Sequence, residues 1–155
     1  MTPPIITTRP SFFALGVVRR CDSPETTDFE GIWHEFLRHE AEIKPHSIEL
    51  VWYGIGFPVA GGGGFDYLAG MAVEGVAEVP EGLQLREVPE ATEAVFACTM
   101  ATIGETYAFA YHEWLPASEY VCGEPLPWIE KYMPTAGEGS ELRIEIHIPL
   151  RKKGL

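Results

Sequence analysis

One order of strand-like and helical patterns occurs twice along the 155 residues of this chain. The first half contains a strand, a helix and two further strands, at 11–20, 27–43, 47–55 and 65–74. The second half repeats this order at 91–101, 102–115, 127–133 and 141–150. A stretch rich in Pro and Gly, 79–91, separates the halves. We therefore predict an α+β fold in which duplicated βαββ units form one antiparallel sheet, with two helices on one face and a cleft between or beside them.

The two predicted helices carry similar boundary signals. Thr27 is followed three residues later by Glu30, and Thr102 is followed in the same way by Glu105. This spacing is typical of a capping box at the start of a helix. Pro116 is expected to end the second helix, because the residue before a proline is disfavoured in helical conformation.

Composition favours one globular domain spanning 1–155. Hydrophobic residues make up 46% and charged residues 22% of the chain, which is ordinary for a domain with its own core. The formal net charge is −12, from 23 acidic and 11 basic residues. Such a surface repels phosphate backbones and attracts cations, so we expect no direct binding of nucleic acid.

The cysteines and the apolar runs indicate a cytoplasmic protein. Cys21, Cys98 and Cys122 are widely spaced and form no CxxC pair, so neither a disulfide framework nor a zinc site is expected. The chain has no apolar run of about 18 residues that would span a membrane. Its first residues lack the basic and apolar regions of a signal peptide.

No cofactor or metal is expected. His34 and His39 are five residues apart, whereas two ligands of one metal on a helix require a spacing of four. The glycine run 61–64 is not followed by the Lys-Ser/Thr of a phosphate-binding loop. His147 alternates with the apolar residues of the last strand, which predicts a surface position.

An acidic residue lies between two aromatic residues in the stretch WIEKY, residues 128–132. In a strand, Trp128, Glu130 and Tyr132 share one face. A buried carboxylate without a partner costs several kcal/mol, and a planar cation bound in a cleft would neutralise it. Aromatic rings would add about 0.5–2 kcal/mol each through cation–π contacts. The alternative is an exposed strand glutamate paired with a lysine.

Further aromatic residues recur at spacings that place them together. Phe65 and Tyr67 share a strand face, and Tyr107, Tyr111 and Trp114 form one helical stripe. Such stripes are either core or the wall of a binding cleft, and Tyr and Trp favour a cleft because their polar atoms need partners. The candidate ligand contacts are Trp33, Trp52, Phe65, Tyr67, Tyr111, Glu113, Trp114, Trp128, Glu130 and Tyr132.

Six blocks in order resemble the GyrI-like effector-binding domain of the AraC-type superfamily. They read FDYLAGMAVE, VPEGL, VPEATEAVF, TYAFAYHEWLPASEY, PLPWIEKYMP and LRIEIHIPL, and the resemblance runs from about residue 5 to 151. It implies a duplicated βαββ fold and an aromatic-lined cleft that binds bulky, often cationic and aromatic, small molecules. It also implies that Glu130 contacts the ligand, with Tyr132 in the same motif and Glu113 as a second, weaker acid. Glu93 replaces a tyrosine that is usual in the family and is expected to bring a second acid near the sheet.

Three functions agree with these features. The first is stand-alone binding of hydrophobic, cationic aromatic molecules, for sequestration or sensing, because the chain leaves no room for a DNA-binding module before the domain. The second, implied by some relatives, is hydrolysis of strained-ring, cyclopropane-bearing genotoxins, with Glu130 as general acid–base beside Tyr111 or Tyr132. The third is an acidic partner protein acting on DNA gyrase. The sequence leaves open whether the protein is an enzyme and whether it forms a homodimer.

Overall fold

The computed structural model describes residues 1–134 and 142–154. In this part of the chain, nine strands form an antiparallel sheet: β1 (Ile5–Arg9), β2 (Phe12–Cys21), β3 (Trp52–Pro58), β4 (Phe65–Val73), β5 (Gln84–Val88), β6 (Ala91–Cys98), β7 (Tyr120–Cys122), β8 (Trp128–Met133) and β9 (Arg143–Lys152). The helices are α1 (Phe29–Ile43), α2 (Ile103–Phe109), its π-helical continuation (Ala110–Trp114) and α3 (Leu115–Ala117). Short 3-10 turns lie at Pro24–Thr26 and Lys44–His46. The predicted α+β class is confirmed; Glu141, the first residue of the last predicted strand, lies outside the described residues.

The strand order shows how the duplicated units fit together. It runs β1-β6-β9-β8-β3-β4-β2-β5, and β7 pairs with β9 beside this path. From the β1 end inwards this order contains β6, β9 and β8, and from the β5 end inwards it contains β2, β4 and β3. These are the equivalent strands of the two units, so the predicted βαββ duplication is confirmed. The strands β3 and β8 of the two units pair at the centre. Each unit also supplies an edge strand to the other, because β1 pairs with β6 and β5 pairs with β2.

Both helices cover the same face of the sheet. The helix α1 packs on β2 and β4, with Phe36 and Leu15 fully buried between them. The helical segment that begins with α2 packs on β6 and β9 around Ala110 and Ile146. These two apolar clusters lie on opposite sides of the central strands β3 and β8, which leaves space above the middle of the sheet.

The helices begin with other contacts than the predicted capping boxes. The carboxylate of Asp28 accepts a hydrogen bond from the backbone N–H of Gly31 at 3.0 Å, so Asp28 is the N-cap of α1. The hydroxyl of Thr27 donates instead to a backbone carbonyl before the helix. The hydroxyl of Thr102 accepts from the N–H of Thr99 at 3.0 Å. Both capping-box predictions are therefore wrong, because nearby backbone groups compete for the same hydroxyls.

The face of the sheet without helices is also buried. The strands β1 and β2 lie near opposite edges of the sheet but are joined by only two residues, Pro10 and Ser11. The sheet must therefore curve around this back face, and Arg9 of β1 lies 5.2 Å from the ring centroid of Phe12 of β2. Tyr53 belongs to the apolar cluster enclosed there, which also contains Ala14, Ile55, Leu68, Ala72, Val88 and Ile129.

The back face corrects the prediction for His147. Its side chain is buried, and its two ring nitrogens lie 3.0 Å from Glu93 Oε1 and 3.1 Å from Glu145 Oε1. Glu93 is fully buried and also accepts two hydrogen bonds from Arg9. The prediction of a surface histidine is wrong because alternation shows which face a residue occupies, but not whether that face is covered.

Within the described residues, no helix is long and apolar enough to cross a membrane.

Candidate functional site

A cavity of about 1110 Å³ lies between the helices, above the central strands. Eight aromatic residues line it: Phe29, Trp33, Trp52, Tyr67, Tyr107, Tyr111, Trp128 and Tyr132. Among the described residues, the acids Glu30, Glu124 and Glu130 also line it. Among the described lining residues there is no Lys or Arg. The walls are therefore aromatic and the fixed charges are negative.

The strand β8 supplies the floor of the cavity. Trp128, Glu130 and Tyr132 all line the cavity, as strand alternation predicts. The central pairing places Glu130 opposite Gly54 of β3. The carboxylate of Glu130 accepts a hydrogen bond on each oxygen, from the hydroxyl of Tyr107 on Oε2 and from that of Tyr132 on Oε1. The acid on the floor is thus held by one phenol from α2 and one from its own strand.

Contacts from α1 support this arrangement. Trp33 donates from Nε1 to the hydroxyl oxygen of Tyr67 at 3.2 Å. The ring of Trp33 also packs edge-on against the ring of Tyr132, the tyrosine that donates to Glu130. The helix α1 therefore contacts two tyrosines of the sheet that line the cavity.

The tyrosines around Glu130 remain protonated. Burial, followed by the negative charge of Glu130, raises the pKa values of Tyr67, Tyr107 and Tyr132 well above the usual value for tyrosine. Their hydroxyls therefore act as hydrogen-bond donors throughout the physiological pH range.

Two glycines of β3 make room for the aromatic residues. A Cβ atom at Gly54 would lie closer than 3.0 Å to the hydroxyl of Tyr67, and one at Gly56 would lie closer than 3.0 Å to the ring of Trp128. Both glycines lie on the same face of β3 as the cavity. Neither glycine was predicted to belong to the site, although the stretch WYGIGFP, with glycines two residues apart in a strand, was the available signal.

The aromatic walls are held by contacts between rings. Trp128 packs edge-on against Phe65, with ring centroids 5.0 Å apart. Trp33 packs in the same way against Tyr132, with centroids 5.3 Å apart. On the opposite wall, Tyr107 and Tyr111 are parallel within 10° with centroids 6.3 Å apart. The rings therefore keep fixed orientations, with Phe65 behind the wall.

Seven of the ten candidate ligand contacts line the cavity: Trp33, Trp52, Tyr67, Tyr111, Trp128, Glu130 and Tyr132. The other three lie elsewhere. Phe65 is buried behind Trp128, Glu113 is exposed on the helix, and Trp114 stacks on Tyr120 at 6.3 Å. The sequence-based prediction omitted several residues that do line the cavity, among them Phe29, Met100, Ile103, Tyr107 and Glu124.

The π-helical turn explains why the predicted stripe divides. Residues Ala110–Trp114 form i→i+5 hydrogen bonds, which insert an extra residue into the turn and rotate the residues that follow. Tyr107 and Tyr111 therefore face the cavity, whereas Trp114 joins the core under α2. The helix also continues beyond Pro116 to Ala117, so the predicted end at Pro116 is wrong. Pro116 lies in the first turn of α3, where a missing N–H is tolerated.

Several solved structures share this fold. The structure of SAV2435 bound to tetraphenylphosphonium matches with a TM-score of 0.81 at 13% identity, covering 97% of this chain and 94% of that one. A putative transcription regulation protein of Staphylococcus aureus MU50 matches with a TM-score of 0.73 at 14% identity, over 97% and 99% of the chains. The integron cassette protein VCH_CASS2 from the mobile metagenome of Vibrio cholerae matches with a TM-score of 0.70 at 17% identity, over 96% of each chain. At these identities the likeness shows a common fold.

Comparison of the sequence with family models identifies the class of protein. No curated protein matches the sequence. A family model described as Cass2, an integron-associated effector binding protein, matches residues 5–150, which is nearly the whole chain. The resemblance to GyrI-like effector-binding domains is thereby confirmed, and small-molecule binding is the function of this class. The chain belongs to the family of integron-associated effector-binding proteins.

Proposed function

We propose that this protein binds bulky hydrophobic cations with aromatic groups in the cavity between α1 and α2, and that it senses or sequesters them. The observation that carries this proposal is the carboxylate of Glu130 on the floor of an aromatic cavity, with no Lys or Arg among the described residues that line it. We further propose that residues 1–155 act as one effector-binding domain.

The size and chemistry of the cavity support a large cationic ligand. Ligand pockets are commonly about 300–1000 Å³, and this cavity has a volume of about 1110 Å³. Its rings present negative faces to a cation, each worth roughly 0.5–2 kcal/mol. The charge of Glu130 acts at short range in a partly desolvated site, where attraction is stronger than in water. Glu30 and Glu124 add negative potential around the cavity.

Tetraphenylphosphonium is the first ligand to test. It is the molecule bound in the SAV2435 structure, which shares this fold. It carries a single positive charge surrounded by aromatic rings, which is the chemistry that the cavity of this protein complements. Trp33, Trp52 and Trp128 line the cavity, so a bound ligand should quench tryptophan fluorescence.

We expect the Glu130→Gln variant to bind tetraphenylphosphonium at least tenfold more weakly than the wild type, a loss of about 1.4 kcal/mol or more. Fluorescence titration of both proteins measures this difference. The matched control is Glu113→Gln, which changes the net charge equally at an exposed helical residue that does not line the cavity. Equal affinities of the wild type and Glu130→Gln would contradict the role of this carboxylate.

Hydrolysis of strained-ring electrophiles is the second candidate function. The hydrogen-bonded contact of Glu130 with two phenols is the observation that favours it, because carboxylates beside proton donors are the parts of a general acid–base site. Incubation with a cyclopropane-bearing alkylating agent distinguishes turnover from binding. Product formation above the level of Glu130→Gln would favour hydrolysis, and saturable binding without excess product would favour a binding protein.

A further inference from the structure

We propose that Tyr107 and Tyr132 make this cavity selective for permanent cations that carry no hydrogen-bond donors. These are quaternary ammonium, N-alkylated heteroaromatic and phosphonium ions, in preference to protonated amines and guanidinium ions of similar shape. The inference rests on the proposed function, because it specifies which cations the same cavity takes.

Both oxygens of the floor carboxylate are already engaged. Tyr107 donates to Glu130 Oε2 and Tyr132 donates to Oε1. Each oxygen keeps a second lone pair. A ligand N–H that uses this lone pair has to share the oxygen with a phenol, and it loses the water that it had before binding. The carboxylate therefore attracts positive charge while offering poor sites for a further donor.

Other polar groups around the floor are engaged as well. Trp33 Nε1 donates to the hydroxyl of Tyr67 at 3.2 Å, and Trp52 Nε1 donates to Glu40 Oε2 at 3.0 Å. A protonated primary amine brings three N–H donors, and the described groups of this floor do not provide three free acceptors. Burying unsatisfied donors is unfavourable.

A donor-free cation avoids this penalty. Its charge is spread over alkyl or aryl groups, which contact aromatic faces directly. An ammonium group, by contrast, is a compact and strongly hydrated charge. The two phenols also hold the half-buried carboxylate through hydrogen bonds, whereas a Lys or Arg partner would cancel the charge that attracts the ligand. The two tyrosines thus introduce no positive charge beside Glu130 and occupy one acceptor position on each of its oxygens.

A methylation series tests this selectivity. The ligands share one naphthylmethyl group and carry a primary ammonium, a dimethylammonium or a trimethylammonium, so that the number of N–H donors falls to zero. The fluorescence titration is performed at neutral pH on the wild type, Tyr107→Phe and Tyr53→Phe. Tyr107→Phe frees one oxygen of Glu130 and keeps the ring. Tyr53→Phe is the matched control, because Tyr53 belongs to the back-face cluster and its hydroxyl donates to the carboxylate of Glu49, and neither residue lines the cavity.

We expect the wild type to bind the trimethylammonium ligand about tenfold or more tightly than the primary ammonium, the size of effect that an unsatisfied buried donor produces. This ratio should fall severalfold in Tyr107→Phe and stay unchanged in Tyr53→Phe. The added methyl groups contribute equally in every variant, so a change in the ratio reports the freed oxygen.

The outcomes separate this inference from the proposed function. If the wild type binds all three ligands equally, or if the ratio is the same in Tyr107→Phe and the wild type, the inference is wrong and cation binding still stands. If no member of the series and no tetraphenylphosphonium binds, both proposals are wrong. If thermal unfolding shows that Tyr107→Phe folds poorly, Tyr132→Phe takes its place, because it frees the other oxygen of Glu130. The ratio of the affinities for the trimethylammonium and primary ammonium ligands is then compared between Tyr132→Phe and the wild type.

Discussion

Gly54 and Gly56 show how single residues without side chains shape the cavity. Because a Cβ atom at Gly56 would lie closer than 3.0 Å to the ring of Trp128, Gly56→Ala must displace that ring from the floor. We expect the free energy of unfolding to fall by about 1–3 kcal/mol, as overpacked sites do, and tetraphenylphosphonium to bind more weakly. Urea unfolding and fluorescence titration measure the two effects.

Gly63 provides the matched control for this substitution. No atom lies within 4 Å of a Cβ built there, so Gly63→Ala should leave both stability and affinity nearly unchanged. Unaltered ligand affinity in Gly56→Ala would show that the position of Trp128 does not matter for binding. A loss of affinity in both variants would instead point to a general effect of mutating this half of the chain.

At the scale of elements, the buried cluster on the back face joins three strands. Arg9 of β1 and His147 of β9 both contact Glu93 of β6. Burial alone would lower the pKa of His147, but its hydrogen bonds to Glu145 and Glu93 outweigh burial and raise it, while Lys131 opposes this effect. Burial alone would raise the pKa of Glu93, but hydrogen bonds from His147 and Arg9 outweigh burial and lower it.

These opposite shifts define a pH window for stability. The stabilisation from His147 is complete below the unfolded pKa of 6.5 and is lost as the pH rises through the folded value. The stabilisation from Glu93 is complete above 4.5 and is lost as the pH falls. We expect His147→Gln to lower the free energy of unfolding most between these values, by about 1–3 kcal/mol, and progressively less at higher pH.

Urea unfolding of the wild type and His147→Gln across this pH range measures the effect. The control is His34→Gln, since the side chain of His34 is 64% exposed and its ion-pair partner, Glu30 at 3.9 Å, is exposed as well. A difference between wild type and His147→Gln that does not vary with pH would show that His147 contributes through packing and not through its charge.

Apolar runs, alternation and helical periodicity predicted the helix and the strands of each βαββ unit, because every one of these elements buries at least one apolar face. They did not predict β1, β5 or β7. These are short strands, and β5 lies in the Pro- and Gly-rich stretch that we interpreted as a connection. An edge strand pairs on one side only and needs few apolar residues, so its pattern is weak. The sequence patterns did not predict that the back face is buried, because the curvature of the whole sheet covers this face.

The candidate site was predictable to the extent that it depends on strand alternation. Strand alternation predicted that Trp128, Glu130 and Tyr132 share one face, because they are two residues apart in sequence. The division of the stripe between Tyr111 and Trp114 did not, because the π-helical turn changes the helical period and has no clear sequence signal. Hydrogen bonds between distant residues, such as that from Tyr107 to Glu130, depend on how the two units meet.

At the scale of the whole molecule, the net charge of −12 surrounds the cavity with a negative field. Such a field accelerates the encounter with cations and is screened by salt. We expect the association rate of tetraphenylphosphonium to fall by roughly threefold or more between about 0.02 and 0.5 M salt. Stopped-flow fluorescence measures the rate, and neutral triphenylphosphine oxide serves as a ligand whose association should not depend on salt.

The same measurement separates the long-range field from the local carboxylate. Glu130→Gln changes the net charge by a single unit, so its association rate should show nearly the same salt dependence as the wild type. Its dissociation rate should instead increase, because the carboxylate holds the cation at short range only after the ligand has entered the cavity. If Glu130→Gln abolished the salt dependence of association, one carboxylate inside the cavity would account for the attraction, and the acidic surface would have no part in delivering ligands to the cavity.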